Sequence, residues 1–358
     1  MKPNEYQATV SLQSPTEIVG AIPGLLGFHA RESLVVVCLH GAAGRAGLAM
    51  RVDLPHPDDA EAFAVEMASR IGRENADATV VVCYTEDADT GGELARRHLI
   101  DQVLDELFLR DIGWEAALLV RGGRWWSYTC SKPCCPSEGT PIPVMPGGDV
   151  YGLEAQRVLH GVAVLPGREA LAESVGGPVA PRVVVLRQRF EEACEQLVDE
   201  LTRRGAGAVR QDTLTALNAM RERYLSGERD LDDAAVVRVL AGLEDKWVRD
   251  ALITWGLDER GEEVLAFLIA LAQYAVDEGC AAICTVVAAV GYQQGHGALA
   301  SVALERVLRC APEYQMARLL DALLDAQVNP REIRAMARRV QRELISRAVI
   351  SDGSSVAA

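Results

Sequence analysis

The sequence predicts an α/β domain with a mixed sheet, followed by an all-helical domain. In the first half, β-branched runs such as Ser33–Leu39 and Ala78–Tyr84 alternate with amphipathic segments, which is typical of buried strands between helices. From about residue 182, apolar residues recur only at helical spacing, as in Phe190, Ala193 and Leu197. This change of period within one chain indicates two domains of different class.

The change of pattern follows the segment Gly176–Pro181, which is rich in glycine and proline. A chain of 358 residues is long enough to build two hydrophobic cores. We therefore expect an α/β domain over residues 1–180, a helical domain over residues 182–350 and a flexible tail over residues 351–358.

The N-terminal domain is expected to begin with a strand at Gln7–Leu12 and a helix directly after it. Ser14 suits the N-cap, Pro15 the first helical position and Glu17 the capping box. Pro23 should kink or shorten this helix, because proline lacks a backbone N–H and its ring collides with the preceding turn.

A second strand, Gly47–Leu54, alternates in polarity and is expected to pair with Ser33–Leu39. The linker Gly41–Gly47 has glycines at a spacing like that of a phosphate-binding loop. Such a loop must lead into a helix, whose backbone N–H groups hold the anion. Because a strand follows here, a hairpin turn is favoured over a phosphate site.

The remaining N-terminal elements follow from periodicity and turn residues. We expect helices at Asp58–Arg73, Leu94–Leu109 and 151–160, and a hairpin of Glu115–Val120 with Arg124–Thr129.

Further helices are predicted in the second half, at 212–225, 232–243, 245–255, 261–277, 280–292, 297–310, 313–326 and 330–348. One unit partly resembles a tetratricopeptide repeat, because alignment on Pro312 places Ala300, Leu304 and Val307 at its apolar positions. The match lacks the Trp and Leu-Gly residues of that motif, and no second copy is evident. A repeat-like array and an unrelated bundle therefore both fit.

The charge and hydropathy of the chain exclude several function classes. The net charge is −15 and both halves are acidic, which argues against broad nucleic-acid binding despite an Arg-rich last helix. No apolar run reaches the roughly 18 residues of a membrane helix, and the N-terminus has no apolar signal core. We expect a cytoplasmic protein without a membrane contact.

The most informative segment is a Pro-flanked polar loop that holds Cys130, Cys134 and Cys135. Three interpretations are open. The thiolates bind a metal ion, zinc being the candidate, with His160 or Glu138 as a possible fourth ligand. Alternatively, two of them form a disulfide or redox switch, or all three are reduced structural thiols.

Polar side chains at the ends of predicted strands form a second candidate site. Thr85 and Glu86 follow a buried strand, where open α/β sheets bind ligands. Asp53 ends the neighbouring strand and Arg121 ends the strand before the cysteine loop. These four residues are the candidate ligand contacts of the sheet.

The strand before the cysteine loop is aromatic. Alternation places Arg124, Trp126 and Tyr128 on one face and Trp125 and Ser127 on the other. Large aromatic side chains mostly fill a core, but the first three residues are also candidates for a ligand-binding wall with Arg121 or Arg124 as an anion contact.

Several segments together resemble the actinobacterial family called "domain of unknown function 4192". The resemblance covers nearly the whole chain, and the cysteine segment is its most specific part. It implies the same domain picture and no established activity. The segments that carry it are Ser14–Glu17, Leu25–Phe28, Glu32–Val37, Arg51–Pro55, Gly123–Tyr128 with the cysteines, Pro136–Pro141, Gln293–Ala300 and Ala317–Leu320.

No catalytic residue is assigned, because the sequence holds no nucleophile elbow, no phosphate-binding loop and no H-E-x-x-H motif. The leading hypothesis is an adaptor or regulatory protein that binds a protein partner through its helical domain, with the cysteine loop as a metal or redox element. The alternative is an enzyme or small-molecule-binding protein with its site at the sheet edge near the cysteine loop, where Cys130 would join the strand-end residues.

Overall fold

A computed structural model describes residues 14–41, 45–130, 132, 134–142 and 164–350. The chain divides into two compact units, an N-terminal one that ends at Arg168 and a C-terminal one that begins at Glu169. The predicted strand Gln7–Leu12, the predicted helix 151–160 and the predicted tail 351–358 lie outside the described residues.

The N-terminal unit contains a six-stranded mixed sheet with helices packed on it, which confirms the predicted class. The strand order is β2-β1-β3-β4-β5-β6. Its elements are α1 (Pro15–Leu26), β1 (Ser33–His40), β2 (Arg45–Asp53), α2 (Ala60–Arg73), β3 (Ala78–Tyr84), α3 (Arg97–Phe108), β4 (Gly113–Arg121), β5 (Arg124–Ser127) and β6 (Thr140–Pro141).

The pairing of the strands explains why the sheet is mixed. β1 and β2 pair antiparallel, with His40 opposite Arg45, so the glycine-rich linker is part of a hairpin as expected. β1 also pairs antiparallel with β3. The crossover through α3 makes β3 and β4 parallel, and the turn at Gly122 and Gly123 returns the chain antiparallel as β5.

Helix α1 begins with the predicted capping box. The Ser14 hydroxyl accepts a hydrogen bond from the Glu17 backbone N–H (3.3 Å), and the Glu17 carboxylate accepts one from the Ser14 N–H (3.1 Å). The expectation that Pro23 shortens the helix is wrong. The helix continues to Leu26, and Gly27 ends it with a φ of 86° while donating its N–H to the Pro23 carbonyl.

Both faces of the central strands are buried. Leu34, Val36 and Val81 pack on the face covered by α2 and α3, where they join one apolar core with Met67 and Leu107. The intervening residues of the same strands point to the opposite face and are equally inaccessible to solvent. This double burial explains why these strands are continuous β-branched runs.

Helix α3 starts three residues later than predicted. Arg96 has a φ of 58°, which is outside the helical region, and Asp89 accepts a hydrogen bond from the Ala95 N–H (3.0 Å). Residues 85–96 therefore form a loop after β3, and α3 begins at Arg97.

The C-terminal unit contains helices and no strand among its described residues, as the periodicity predicts. The helices are α4 (Arg168–Ser174), α5 (Arg182–Arg204), α6 (Ala206–Leu225), α7 (Asp233–Gly242), α8 (Lys246–Thr254), α9 (Gly261–Ala272), α10 (Cys280–Gln293), α11 (Gly297–Cys310), α12 (Gln315–Asp325) and α13 (Pro330–Ser346).

Helix α10 forms the centre of this unit. Every one of its residues is buried, and it contacts α8, α9, α11, α12 and α13. A helix that is apolar on all sides must be surrounded in this way. α10 and α11 form the helix pair on which the repeat alignment was made, and Ala300, Leu304 and Val307 are buried.

Within the part of the chain that the structure describes, no helix combines the length and the apolar character needed to cross a membrane.

Candidate functional site

The cysteine loop connects β5 to β6, the last two strands at one edge of the sheet. The chain leaves β5 at Ser127 and returns to pair Thr140 with Trp125 and Pro141 with Arg124. Both ends of the loop are thus fixed to the same strand, which holds the intervening residues close to it.

The first turn of the loop is organised by Ser127. Its hydroxyl oxygen accepts hydrogen bonds from the backbone N–H groups of Thr129 (3.2 Å) and Cys130 (3.0 Å). Further along, the Cys135 N–H donates to the Lys132 carbonyl at 2.8 Å and closes a second turn. Side-chain and backbone bonds of this kind give a short polar loop a defined conformation.

The second half of the loop folds over the Trp126 side chain. The indole N–H donates to the Ser137 carbonyl at 3.0 Å, and Arg124 donates to the carbonyls of Glu138 (2.8 Å) and Gly139 (3.0 Å). A Cβ atom at Gly139 would lie 2.4 Å from the Trp126 ring, and Gly139 has a φ of 75°. Position 139 therefore requires glycine, because its φ is positive and because a side chain there would collide with the Trp126 ring.

These two turns bring the three cysteines together. The Sγ atoms of Cys130, Cys134 and Cys135 all lie within 4.8 Å of one another, and those of Cys130 and Cys134 are 3.8 Å apart. All three are free thiols. Cys134 is exposed, whereas Cys130 and Cys135 are half-buried. Among the described residues, no other group of His, Cys, Asp and Glu brings three potential ligand atoms this close.

Cys130 and Cys135 differ in acidity. A hydrogen bond from the Lys132 backbone N–H, together with the neighbouring thiols, lowers the pKa of Cys130 below its usual range. Burial, together with its two thiol neighbours, raises the pKa of Cys135 to about 12. A negative charge is therefore favoured on Cys130 over Cys135.

The geometry of the sulfur atoms fits a tetrahedral metal ion. With zinc–sulfur bonds of about 2.3 Å, tetrahedral geometry separates two sulfur ligands by about 3.8 Å. The Cys130–Cys134 distance has this value, and the third sulfur lies within 4.8 Å of both. Small rotations of the side chains would place all three around one ion.

The fourth ligand suggested by the sequence is not part of this group. Glu138 is exposed, its carboxylate accepts a hydrogen bond from the Ser137 hydroxyl (3.5 Å), and its oxygen atoms are not among the clustered ligand atoms. His160 lies outside the described residues. The described residues thus supply three ligands on one loop.

The four candidate residues at the strand ends lie at the same end of the sheet. Asp53 ends β2, Arg121 ends β4, and Thr85 and Glu86 follow β3, which is parallel to β4. Asp53 is exposed and forms an ion pair with Arg51 (2.6 Å). The antiparallel register of β5 carries Cys130 away from this end, since Ser127 pairs with Leu118.

Glu32 organises this end of the sheet and was not recognised in the sequence. Its carboxylate accepts a hydrogen bond from the Thr85 hydroxyl (2.9 Å) and one from the Glu86 backbone N–H (2.8 Å). Its position directly before β1 is the available signal, because the start of β1 lies beside the end of β3.

Arg121 is held within the loop after β3. Its guanidinium donates to the Asp89 carboxylate at 2.9 Å and to the Asp87 carbonyl at 2.5 Å, and it lies over the Trp126 ring at 5.1 Å. The hydrogen bond from Arg121 holds the pKa of Asp89 below its usual range. Asp87 belongs to the polar segment that follows the strand in the sequence, whereas Asp89 was not recognised there.

A shallow, open depression lies beside these residues. It has a volume of about 480 Å³ and is lined by Pro57, Asp87, Ala88, Thr90 and Arg96. The backbone around it is unusual, because Arg96 (φ 58°) adopts a left-handed conformation that non-glycine residues rarely populate. Such conformations are enriched at functional sites.

The side chains of the aromatic strand and of Tyr128 lie alternately on the two faces of the sheet, as predicted. Trp125 is buried on the face of α1 and donates its indole N–H to the Thr16 hydroxyl (3.0 Å). Tyr128 is buried on the opposite face, where its hydroxyl donates to the Ala95 carbonyl (2.6 Å). Trp126 is half-buried beneath the cysteine loop.

The contact between Gly139 and Trp126 makes a prediction for stability. We expect Gly139→Ala to lower the free energy of unfolding by about 1–3 kcal/mol more than Gly123→Ala does, because the added methyl group overlaps the indole ring. Gly123 is the matched control, since its φ of 72° is close to the 75° of Gly139 and no atom lies within 4 Å of a Cβ atom added to it. Denaturant unfolding of both variants measures the difference. Equal losses would show that the loop does not pack on Trp126.

Comparison with known proteins gives one match. The family model described as "domain of unknown function (DUF4192)" matches residues 15–331. No curated protein and no solved structure matches the chain. The matched range includes the whole sheet, the cysteine loop and most of the helical unit, and the family description assigns no activity. The chain therefore belongs to the DUF4192 family.

Proposed function

We propose that this protein is a cytoplasmic regulatory protein in which the cysteine loop binds a zinc ion and the helical unit binds a protein partner. The proposal rests on one observation: the Sγ atoms of Cys130, Cys134 and Cys135 all lie within 4.8 Å of one another. Three free thiols on one short loop have no packing role that would require this proximity.

The donor set selects the kind of metal. Thiolate ligands favour zinc and other thiophilic ions, whereas magnesium and calcium take oxygen ligands. The lowered pKa of Cys130 favours its thiolate form, and a bound divalent ion would favour deprotonation of all three thiols. Closure of the loop through Trp126 and β6 supports a regulatory element, because metal binding would stabilise this conformation of the loop.

We expect about one zinc ion per chain in protein purified anaerobically without added metal. Cys134→Ser should remove most of this metal, since the exposed Cys134 supplies one of only three clustered sulfurs. Elemental analysis and a count of free thiols in the same sample give both quantities. The matched control is Cys194→Ser, which changes a half-buried cysteine of α5 and should leave the metal content unchanged.

Two results would contradict the metal site. Metal-free protein with nine free thiols would make the loop structural, and metal-free protein with an oxidised loop would make it a redox element. Replacement by cobalt gives a second measurement, because sulfur-to-cobalt charge-transfer absorbance appears only when thiolates bind the ion. This absorbance should weaken in Cys134→Ser.

The support for partner binding comes from the outer face of α13. Arg331, Arg338, Arg339 and Arg342 are exposed there together with Met336, whose exposed fraction is 43%. A basic face with an apolar side chain in it, on a chain with a net charge of −15, suits an acidic protein surface. The same face is the alternative candidate for a nucleic-acid contact.

Charge reversal tests this surface. We expect full-length protein carrying Arg338→Glu and Arg342→Glu to lose a partner that wild-type protein retains in affinity purification. Arg203→Glu with Arg204→Glu, at the end of α5, reverses the same charge elsewhere on the unit and should retain it. Equal recovery by both double variants would exclude this face. Retardation of DNA by wild-type protein at physiological salt would favour nucleic acid instead.

A second candidate function is small-molecule binding at the strand ends. It is favoured by the depression near Asp87 and Arg96 and by the left-handed backbone of Arg96 beside it. The candidate contacts Asp53, Thr85, Glu86 and Arg121 lie at this end of the sheet. In this proposal Arg124, Trp126 and Tyr128 are supporting residues of the neighbouring strand.

Filling the depression tests this candidate. A ligand from a fragment screen that raises the melting temperature of wild-type protein should have no effect on Ala88→Trp, because the indole would occupy the depression. Ala206→Trp, at an exposed position of α6, should respond like wild-type protein. A screen without such a ligand, or one whose ligands still act on Ala88→Trp, would reject the site.

A further inference from the structure

The helical unit contains a buried arginine without a carboxylate partner among the described residues. Arg306 of α11 is only 4% exposed. Its guanidinium donates hydrogen bonds to the carbonyls of Val175 (2.7 Å), Ala272 (2.9 Å) and Ala275. These dipoles satisfy its N–H groups but carry no net charge. An isolated buried cation is costly, so the site favours a nearby anion.

Cys284 is the ionisable group in direct contact with this guanidinium. Its Sγ atom lies 3.5 Å from Arg306 Nη1, and its side chain is completely buried in α10. A hydrogen bond from the Cys280 thiol and the charge of Arg306 lower the pKa of Cys284. The fixed charge of Arg306 therefore favours the thiolate form of Cys284.

Two further cysteines adjoin this pair. Cys280 lies one turn before Cys284 on α10, and Cys310 lies one turn after Arg306 at the end of α11. Cys280 is buried. Because α10 and α11 are consecutive helices packed antiparallel through a short turn, the contact of Cys284 with Arg306 places Cys280 and Cys310 opposite each other, one turn further along. Cys310 is half-buried and is the member of the trio that solvent reaches. The three thiols thus form a path from the core to the surface.

We propose that Cys280 and Cys310 form an oxidation-responsive thiol pair, with peroxide as the oxidant and the Cys284–Arg306 pair as a positioning element. Oxidation would link α10 to α11 by a disulfide. This site is separate from the cysteine loop and does not depend on whether that loop binds zinc.

Disulfide geometry selects this pairing. Residues four apart on a helix have Cβ atoms about 5–6 Å apart, whereas a disulfide needs about 3.5–4.5 Å. Cys280 and Cys284 are in this relation on α10, so a bond between them would distort the helix. Cys280 and Cys310 are on different helices and are not restricted in this way.

The reaction proceeds in two balanced steps. Cys310 reacts with hydrogen peroxide to give a sulfenic acid and water. Cys280 then attacks the Cys310 sulfur, its proton passes to the Cys284 thiolate and from there to the leaving hydroxide, and a second water is released. In total, two thiols and one peroxide give one disulfide and two waters. Burial, with the charges of Cys280 and Asp277, raises the pKa of Cys310 to about 11, so the first step should accelerate with pH.

Metal binding is disfavoured at this second cluster. Its sulfur atoms are not among the described groups whose ligand atoms converge, and the Arg306 guanidinium contacts Cys284 directly. A second cation would have to displace or adjoin a fixed positive charge.

Peptide mass spectrometry after peroxide treatment tests the proposal on full-length protein. Trypsin cuts after Arg260, Arg306, Arg309 and Arg318, so Cys280 and Cys284 share peptide 261–306 and Cys310 lies in peptide 310–318. We expect these two peptides to become linked, with the loss of two free thiols. Both Cys280→Ser and Cys310→Ser should abolish the linked species, and Cys194→Ser should preserve it.

Several results would contradict the proposal. An internal bond within peptide 261–306, or no linkage while the peptides of the cysteine loop are oxidised, would contradict it. Metal that is lost in Cys280→Ser and kept in Cys134→Ser would make this cluster a metal site. Because the zinc site of the loop predicts loss of metal in Cys134→Ser, this result would contradict that proposal as well.

The role of Cys284 has its own measurement. In Cys284→Ser, Cys280 lacks its proton acceptor, so linkage should form at least 10-fold more slowly at neutral pH. In a pH titration followed by the ultraviolet absorbance of thiolates, this variant should also lack one cysteine that ionises below the ordinary cysteine range. An unchanged rate together with an unchanged titration would show that Cys284 is only a packing residue. Circular dichroism verifies that the variant is folded.

Discussion

The cysteine loop depends on its contact with Trp126. The indole N–H holds the Ser137 carbonyl, and the indole ring occupies the space that a side chain at position 139 would need. Because β6 then pairs with β5, both ends of the loop are attached to one aromatic strand. The sulfur atoms of Cys130, Cys134 and Cys135 converge as a consequence, although no regular secondary structure holds them. The same ring stacks beneath Arg121, which connects the loop to the strand ends.

Elements with local causes were predictable from the sequence. The capping box of Ser14 and Glu17 requires only neighbouring residues, and the runs in β1 and β3 require only that both sheet faces be covered. The start of α3 was not predictable in this way. Arg96 there donates to the Asp87 carboxylate (2.6 Å) and to the Pro55 carbonyl (3.4 Å), and these contacts hold it in a left-handed conformation despite good helical periodicity. Tertiary contacts overrode local propensity at that position.

The candidate site likewise combines features that have local causes with features that depend on tertiary contacts. The clustering of Cys130, Cys134 and Cys135 in one short loop is visible in the sequence, whereas the contacts with Trp126 and β6 that bring their sulfur atoms together are not. Glu32 was missed because its partners Thr85 and Glu86 are more than fifty residues away and meet it only through the register of β1 with β3. A carboxylate that organises a loop from a distant strand leaves no pattern of spacing in the sequence.

The two cysteine clusters are distinguished by the positive charge beside each. In the helical unit, the fixed charge of Arg306 lies beside Cys284 and favours its thiolate form, and burial fixes that cation in place. In the loop, the cation nearest Cys130 is the exposed Lys132, whose side chain solvent screens. Thiolates without a fixed counter-ion gain most from a bound metal, whereas a thiolate paired with arginine gains least. This difference in fixed charge is the reason for proposing metal binding at the cysteines of the loop and thiol oxidation at those of the helical unit.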